Sequence, residues 1–291
     1  MLGLTWGSSE VFAWSSAPVL AMLGGGMLLF ALFLLVERRA SEPILPLSLF
    51  RNQVFSVAVL LTMLQMMVLL GLSLYLPLFL QGVLAVSPTV AGLAITPLSL
   101  SMVLGAMVAG PIIGALKRYQ LVIVLGALLM GTGSCLLTLM TPQTSLVQAI
   151  LSMILVGIGL GSFFSLSVIA QNVMPASRLG VSTAATRYLG QVGATLGIAI
   201  VGTVVSSSIS GTLLHRLPTT TAERGVLAGA LQHGFVAVLV FALIALVAAF
   251  FLKDVPFVEL GTMGELREDG LACTGHHAIE LDQHDRPDEQ C

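Results

Sequence analysis

Residues 236–251 read VAVLVFALIALVAAFF, an unbroken apolar run that decides the fold class of this chain. Residues 121–129, LVIVLGALL, are likewise apolar on every side. Transmembrane β-strands alternate polar and apolar residues over about 10 positions, so neither run fits a membrane barrel. A transmembrane helix needs roughly 20 mainly apolar residues, and seven segments of the sequence satisfy this requirement. They are 18–36, 54–80, 90–116, 120–140, 146–170, 183–207 and 233–252. The sequence therefore predicts an all-α, polytopic membrane protein with seven transmembrane helices.

The composition agrees with a membrane protein. Hydrophobic residues make up 56% of the chain and charged residues 9%, whereas soluble domains contain about 25% charged residues. Between Glu42 and Glu223 there is no Asp or Glu. Carboxylates inside a membrane usually mark ion or proton pathways. We therefore expect that the carboxylate of any proton-coupled process lies outside this part of the chain.

The Lys and Arg residues indicate the orientation in the membrane, because cytoplasmic loops are enriched in both. If the loop after the first span is cytoplasmic, eight basic residues flank the inside ends of the spans and only Arg216 and Arg224 lie outside. The eight are Arg38, Arg39, Arg51, Lys117, Arg118, Arg178, Arg187 and Lys253. This asymmetry predicts an outside N-terminus and a cytoplasmic C-terminus.

The N-terminal segment 1–17 contains no Lys or Arg and so lacks the positive region of a signal peptide. We interpret 1–17 as an extracytoplasmic segment that leads into a linker transmembrane helix at 18–36. An odd number of spans with an unsignalled outside start predicts that a further set of helices precedes this chain.

The rest of the sequence divides into three parts. Residues 37–53 contain Pro43 and Pro46 and are predicted to form a cytoplasmic linker. Residues 54–253 form a predicted six-helix transporter half. Since many transporters contain inverted three-helix repeats, this half divides naturally after the third of its spans. Residues 254–291 hold ten of the fourteen acidic residues and little apolar mass, which predicts a disordered cytoplasmic tail.

The end of the span 90–116 carries the sequence GPIIGALKRY, residues 110–119. Gly110 and Gly114 are spaced to allow close helix approach, and Lys117 and Arg118 then reach the cytoplasmic face. Close packing beside a short basic loop is typical of a cytoplasmic gate. The stretch resembles the C-terminal copy of the loop signature of the major facilitator superfamily, G-x3-(D/S/G)-x2-G-R-(K/R). Gly110, Gly114 and Arg118 match the signature, Lys117 replaces its second Gly, and Tyr119 replaces its last basic residue.

Further short motifs resemble the fourteen-span drug:proton antiporters of multidrug efflux within that superfamily. They are VERR at 36–39, EPILPL at 42–47, YLPLFLQ at 75–81, VSPTVAG at 86–92 and LGVSTA at 179–184. The resemblance covers about residues 1–253 and implies that the chain corresponds to spans eight to fourteen, with the first seven absent. By this resemblance, full members export hydrophobic, often cationic compounds and use a proton gradient.

Two spans carry polar stripes that are candidates for the substrate path. At about 100° per residue, three polar residues of the span 54–80 share one face, and four of the span 183–207 recur every four residues. They are Thr62, Gln65 and Ser73, and Thr183, Arg187, Gln191 and Thr195. The alternative is that these side chains form interhelical hydrogen bonds, each contributing about 0.6 kcal/mol. For Arg187 the alternative is an anchor whose side chain extends to the cytoplasmic interface.

Met and aromatic residues form a second candidate surface, an adaptable wall of the kind that packs around varied ligands. Its members are Met63, Met66, Met67, Tyr75, Phe79, Phe163 and Phe164. The alternative is that they are ordinary packing side chains or face lipid.

Other classes of function find little support in the residues. No group of acid, His or Cys residues converges on any span, so nucleophile and base have no candidates and we predict no enzyme. Cys273, His276, His277, His284 and Cys291 lack the tight paired spacing of a zinc site, and we predict no metal and no cofactor. A basic stripe for nucleic acid is also absent.

We therefore predict the C-terminal half of a major facilitator multidrug exporter in the bacterial cytoplasmic (plasma) membrane, working by alternating access. Its expected partners are a hydrophobic or cationic small-molecule substrate, the lipid bilayer, a separately made N-terminal half and the protons that this half would carry. Two alternatives stay open. The first alternative is an inactive truncated fragment, and the second is a membrane interaction protein without transport activity.

Overall fold

A computed structural model describes residues 21, 24–29, 31–32, 35–36, 47–174, 178–208 and 221–252. The chain divides into two units, residues 1–255 and 256–291, and all of the described residues belong to the first. Within these ranges the regular structure is helical and no strand occurs. The prediction of an all-α fold is confirmed.

Seven α-helices with defined ends follow a short 3₁₀ helix, Leu47–Arg51. They are α1 (Gln53–Gly82), α2 (Pro88–Leu116), α3 (Tyr119–Thr138), α4 (Leu146–Ser162), α5 (Ser165–Asn172), α6 (Leu179–Ser207) and α7 (Thr221–Phe250). With α4 and α5 taken together, six segments are long and apolar enough to cross a membrane. The predicted span 18–36 is described only in part, and its described residues are helical.

Side-chain caps set the starts of three of these helices. Asn52 Oδ1 accepts a hydrogen bond from the Val54 amide at 2.9 Å, Ser87 Oγ from Val90 at 3.3 Å and Ser145 Oγ from Gln148 at 3.3 Å. Asn and Ser are favoured at this position because their oxygens satisfy amides that have no partner inside the helix. Local sequence therefore fixes where α1, α2 and α4 begin.

The last helix begins earlier than the sequence predicted, at Thr221 instead of residue 233. The additional turns read TAERGVLAGALQ, in which the charged pair Glu223 and Arg224 precedes the apolar residues 225–231. Ala, Leu and Glu are nevertheless strong helix formers, and Glu223 lies in the first turn, where the helix dipole favours an acid. The predicted start was too late because the polar residues Gln232 and His233 separate the apolar residues 225–231 from the longer apolar run that follows.

The predicted span 146–170 is broken into α4 and α5 at Phe163 and Phe164. At the break the backbone changes to tighter i to i+3 bonding, with Phe163 N donating to the Leu160 carbonyl at 3.3 Å and Phe164 N to Gly161 at 3.1 Å. The Leu160 carbonyl also accepts a hydrogen bond from Gln65 Nε2 of α1 at 2.9 Å. A side chain from another helix thus holds the carbonyl at the break, which explains why the local sequence did not reveal it.

The six spans pack in an order that repeats. Helix α4 packs on α2 and α3, whereas α1 packs on α6 and α7, and α3 also packs on α7. If α1 is exchanged with α4, α2 with α6 and α3 with α7, the same set of packed pairs results. A bundle built from two equivalent three-helix units has this property.

Small residues allow close backbone approach in two of these contacts, α2 with α4 and α1 with α6. A Cβ atom added to Gly105 of α2 would lie closer than 3.0 Å to the backbone of Ile158 in α4, and one added to Gly161 would meet the backbone of Met102 as closely. In the same way, Gly193 and Gly197 of α6 lie against the backbone of α1. Because lipid provides no hydrophobic drive between membrane helices, such close backbone approach is a main source of their association.

Candidate substrate path and gate

The polar stripe of α6 lies on an uncovered face of the described bundle. Arg187, Gln191 and Thr195 are exposed, and Thr195 Oγ1 donates to the Val192 carbonyl within its own helix at 2.8 Å. Gly193, which packs on α1, lies about 160° around the helix from Gln191. One face of α6 is therefore packed, and the nearly opposite face presents a cation, an amide and a hydroxyl.

The fourth predicted member of this stripe, Thr183, is half-buried and donates to the Leu179 carbonyl at 2.9 Å. Tyr188, which the sequence reading did not select, is 50% exposed and lies beside the stripe. It does not follow the four-residue spacing of the stripe, so the spacing could not identify it. The open face of α6 is thus broader than the predicted row.

The three polar residues of α1 have separate environments. Gln65 is 1% exposed and forms the interhelical bond to Leu160, while Thr62 is 7% exposed and donates to Ala58 of its own helix. Ser73 is exposed and donates to Leu69 at 2.7 Å. On α1 the structure therefore leaves only Ser73 of the three open, and it gives Gln65 the packing role that the sequence reading had held as the alternative.

The predicted Met and aromatic wall is divided between the core and the surface. Met67, Phe79 and Phe163 are buried in the bundle core, so their prediction as wall residues that meet substrate is wrong. Met63, Met66 and Tyr75 are half-buried, and Phe164 is exposed at the break between α4 and α5. Periodicity could not separate these groups because both the core and the lipid-facing surfaces of a membrane bundle are apolar.

In the gate motif the two glycines lie on the exposed side of α2. No atom of the described residues lies within 4 Å of a Cβ atom added to Gly110 or Gly114. Lys117 ends α2 with a left-handed backbone, φ 52°, and its amide donates to the Ile113 carbonyl at 2.8 Å. Arg118 then begins α3 and is exposed. The motif thus forms a tight helix-to-helix corner, and its glycines present a flat surface that no described helix covers.

The conformation of Lys117 explains why the related signature has glycine at this position. A left-handed backbone costs a residue with a Cβ atom roughly 1 kcal/mol, whereas glycine adopts it freely. We therefore expect Lys117→Gly to raise the free energy of unfolding by about 1 kcal/mol, measured as thermal unfolding of the detergent-solubilised chain. The neighbouring Leu116→Gly, which places glycine inside the last helical turn, is the matched control and is expected to lower stability by about as much. Equal losses in both variants would contradict this account of the corner.

Two hydrogen bonds hold the end of α5 beside this corner. Asn172 Nδ2 donates to the Tyr119 hydroxyl of α3 at 3.1 Å, and Ser182 Oγ of α6 donates to the Ala170 carbonyl at 3.0 Å. Tyr119 occupies the position at which the related signature has its last basic residue. This departure from the signature was the one feature of the sequence that distinguished the position. The broken segment α5 is therefore tied to helices on both of its sides.

The electrostatics of the described region is dominated by cations at one end. Arg51, Lys117, Arg118, Arg178 and Arg187 all lie at or near the same ends of the spans. The described ranges contain one carboxylate, Glu223, in the first turn of α7. They contain no group of three or more His, Cys, Asp or Glu side chains placed to hold a metal. The Cys and His residues of the tail lie outside the described residues.

Comparison with known proteins yields a consistent set of relatives. The multidrug transporter protein MdtP of Bacillus subtilis is 30% identical over 74% of this chain and 39% of its own length. The tetracycline resistance determinant of Streptomyces rimosus is 34% identical over 76% of the chain and 63% of its own length. The puromycin resistance protein pur8 of Streptomyces alboniger is 30% identical over 79% of the chain and 46% of its own length. The chain therefore spans less than two thirds of each of these relatives.

A family profile matches more of the chain than any single motif does. Residues 2–198 match the Major Facilitator Superfamily, whose members named above are transporters and drug-resistance proteins. The six apolar spans agree with this match, and the predicted resemblance to this superfamily is confirmed. The chain belongs to the Major Facilitator Superfamily.

Proposed function

We propose that this chain is the C-terminal half, spans eight to fourteen, of a proton-driven multidrug exporter that works by alternating access. The observation that carries the proposal is the open polar face of α6. Ionisable residues within membrane spans usually face a bundle interior or a water-filled cavity instead of lipid. A face with Arg187, Gln191 and Thr195 therefore suits a cavity shared with a second bundle.

The substrate class is supported by the relatives. The proteins compared above are named for multidrug transport and for resistance to tetracycline and puromycin. By this likeness we assign the chain a hydrophobic or cationic small-molecule substrate. Ser73, Arg187, Gln191 and Thr195 line the proposed path, and Thr62 and Gln65 support it from within the bundle.

Proton coupling in this proposal depends on the other half of the transporter. The sequence from Pro43 to Ala222 contains no carboxylate, so the spans of this chain offer no Asp or Glu that titrates at the midplane. The carboxylate that exchanges protons must then lie in the N-terminal spans. This chain contributes one wall of the cavity and the gate corner at Gly110, Gly114, Lys117 and Arg118.

The proposed orientation places the basic end of the bundle in the cytoplasm. Five cations of the described residues lie at that end, and cytoplasmic ends of spans are enriched in Lys and Arg. The N-terminus would then be outside and the C-terminal tail inside, in the bacterial cytoplasmic membrane.

The test is dye efflux with and without an N-terminal half. Bacteria that lack their own efflux pumps are loaded with ethidium, a hydrophobic cation. They express this chain alone, or fused behind the N-terminal spans of the multidrug transporter protein MdtP of Bacillus subtilis, of which the chain matches 39%. We expect no efflux from the chain alone, and efflux from the fusion that a protonophore abolishes. Strong efflux from the chain alone would show that it is not a half, and a correctly inserted fusion without efflux would contradict the exporter.

The uncovered side of α2 favours a second candidate, a membrane interaction protein without transport. Gly92, Gly110 and Gly114 have no described atom within 4 Å of an added Cβ, and α2 is the least buried of the six spans. Such a surface suits close docking of another helix, from an N-terminal half or from a second copy. Stable association of the chain with another membrane helix or a second copy, together with a fusion that exports no ethidium, would favour this candidate. An inert fragment would show neither association nor export.

A further inference from the structure

A pocket of about 340 Å³ opens at the basic end of the bundle, on the outer side of α3 and α7. Its lining consists of Arg118, Gln120, Leu121, Val124 and Leu125 of α3 and Phe250 at the end of α7. The site is separate from the open polar face of α6. It lies where a membrane helix leaves the apolar layer, because Arg118 and Phe250 are both at helix ends.

The floor of this pocket is apolar and continues along the bundle surface. Leu121 is 41% exposed, Leu125 50% and Phe250 62%, and Leu128 extends the same row by one turn. An exposed row of purely apolar side chains on a membrane helix is typical of a lipid-facing surface. The floor is therefore suited to a hydrocarbon chain that lies parallel to α3.

The polar end of the pocket has an excess of positive charge. Arg118 is exposed, and its side chain makes no capping bond to the first turn of α3. The only carboxylate in the described ranges, Glu223, is in the first turn of α7 and so at the opposite end of that helix from Phe250. Arg118 thus has no carboxylate partner within the described part of the chain. A guanidinium binds phosphate oxygens with two parallel hydrogen bonds.

A cross-helix hydrogen bond builds the wall between the two helices. Gln120 Nε2 of α3 donates to the Phe250 carbonyl, in the last turn of α7, at 2.9 Å. That bond links α3 to the last turn of α7, and Phe250 lines the pocket together with Leu121 and Leu125. The cleft therefore lies between two helices that a hydrogen bond links at its polar end.

We propose that this cleft binds one anionic phospholipid of the adjacent leaflet, with its phosphate against Arg118 and an acyl chain along Leu121, Leu125 and Phe250. Basic pockets between membrane helices are suited to anionic headgroups. A volume near the lower end of the range of about 300–1,000 Å³ for ligand sites suits a glycerophosphate and its first methylenes. The acidic tail is a less suitable occupant, because it has little apolar mass to cover this floor. The proposal requires only that the chain lies in a membrane and does not depend on drug export.

Thermal stabilisation of the full chain by added lipid tests the site, because a ligand that binds only the folded state raises Tm. The purified chain in detergent is titrated with dioleoylphosphatidylglycerol, with dioleoylphosphatidylcholine and with soluble glycerol phosphate. We expect phosphatidylglycerol to bind about fivefold more tightly than phosphatidylcholine, the factor that one interfacial cation supplies, and glycerol phosphate to have no effect. In Arg118→Gln the preference should disappear, and in Leu125→Ser both lipids should bind more weakly.

The matched control is Arg51→Gln, which removes an exposed cation at the same end of the bundle but outside the cleft. It should keep the full preference for phosphatidylglycerol. An equal loss in Arg51→Gln and Arg118→Gln would mean that general surface charge attracts the lipid and would overturn the site. Stabilisation by glycerol phosphate as strong as by the lipid would also overturn it, as would lipid binding that appears only after residues 256–291 are removed.

Discussion

Replacing Gly105 with alanine is expected to destabilise the helix bundle by about 2 kcal/mol, within the range of about 1–3 kcal/mol for an overpacked core. The added methyl group would lie closer than 3.0 Å to the carbonyl oxygen and the Cα atom of Ile158. These are backbone atoms of α4, so no side chain can rotate away and the two helices must separate. The measurement is Tm of the detergent-solubilised chain, together with the fraction that elutes as a single species on gel filtration.

The matched control for this variant is Gly92→Ala on the same helix. Gly92 is exposed and has no described atom within 4 Å of an added Cβ. Because alanine is a better helix former than glycine by about 1 kcal/mol, this control should leave Tm unchanged or raise it. A loss of stability as large in Gly92→Ala as in Gly105→Ala would show that the α2–α4 contact is not the close packing described above.

Replacing Arg187 with alanine is expected to reduce export by the assembled transporter at least about tenfold, a transition-state cost of roughly 1.4 kcal/mol. Membrane level should stay nearly unchanged, because Arg187 is exposed on the face of α6 that no described helix covers and alanine favours the helix. The measurement is the rate of ethidium efflux divided by the amount of protein in the membrane, in the fusion that carries an N-terminal half.

Two further variants separate a role in transport from simple anchoring. Arg51→Ala removes another exposed cation at the same end and should leave both efflux and membrane level unchanged. Arg187→Lys keeps a positive charge that can reach the interface but loses the planar, two-pronged hydrogen bonding of the guanidinium. Full recovery of efflux with Lys, or equal losses of efflux and membrane level with Ala, would favour the anchoring account.

The stripe on α6 shows how far sequence reasoning could locate the candidate site. The spacing of Arg187, Gln191 and Thr195 placed them on one face, and the structure leaves that face open. The same reasoning grouped Thr62, Gln65 and Ser73 on α1, yet only Ser73 is open. The two helices differ for a physical reason. Helical spacing predicts which residues share a face, but it does not predict which neighbouring helix covers that face. Gln65 is covered because α4 breaks beside it and presents the Leu160 carbonyl.

The sequence by itself determined the order of the six apolar spans that the structure describes and the all-α class. Length and hydrophobicity suffice for this, because every backbone polar group in lipid must be satisfied within its own helix. It also determined the local starts at Asn52, Ser87 and Ser145, whose caps use amides only a few residues away. The apolar run at 236–251 is one of these locally determined features, because its hydropathy alone identified it as a membrane helix without reference to the helices that pack against it.

Only the tertiary structure decided the faces, the break between α4 and α5 and the cleft beside Arg118. Lipid and the interior of a helix bundle are equally apolar, so the sequence contains no contrast between a buried and a lipid-facing Leu or Phe. A hydropathy scale gives the same value to Phe163 in the core and to Phe250 at the cleft. It likewise gives the same value to Gly105, which packs against α4, and to Gly92, which no described residue contacts. Backbone contact between distant helices makes these distinctions, and it exists only once the helices have assembled.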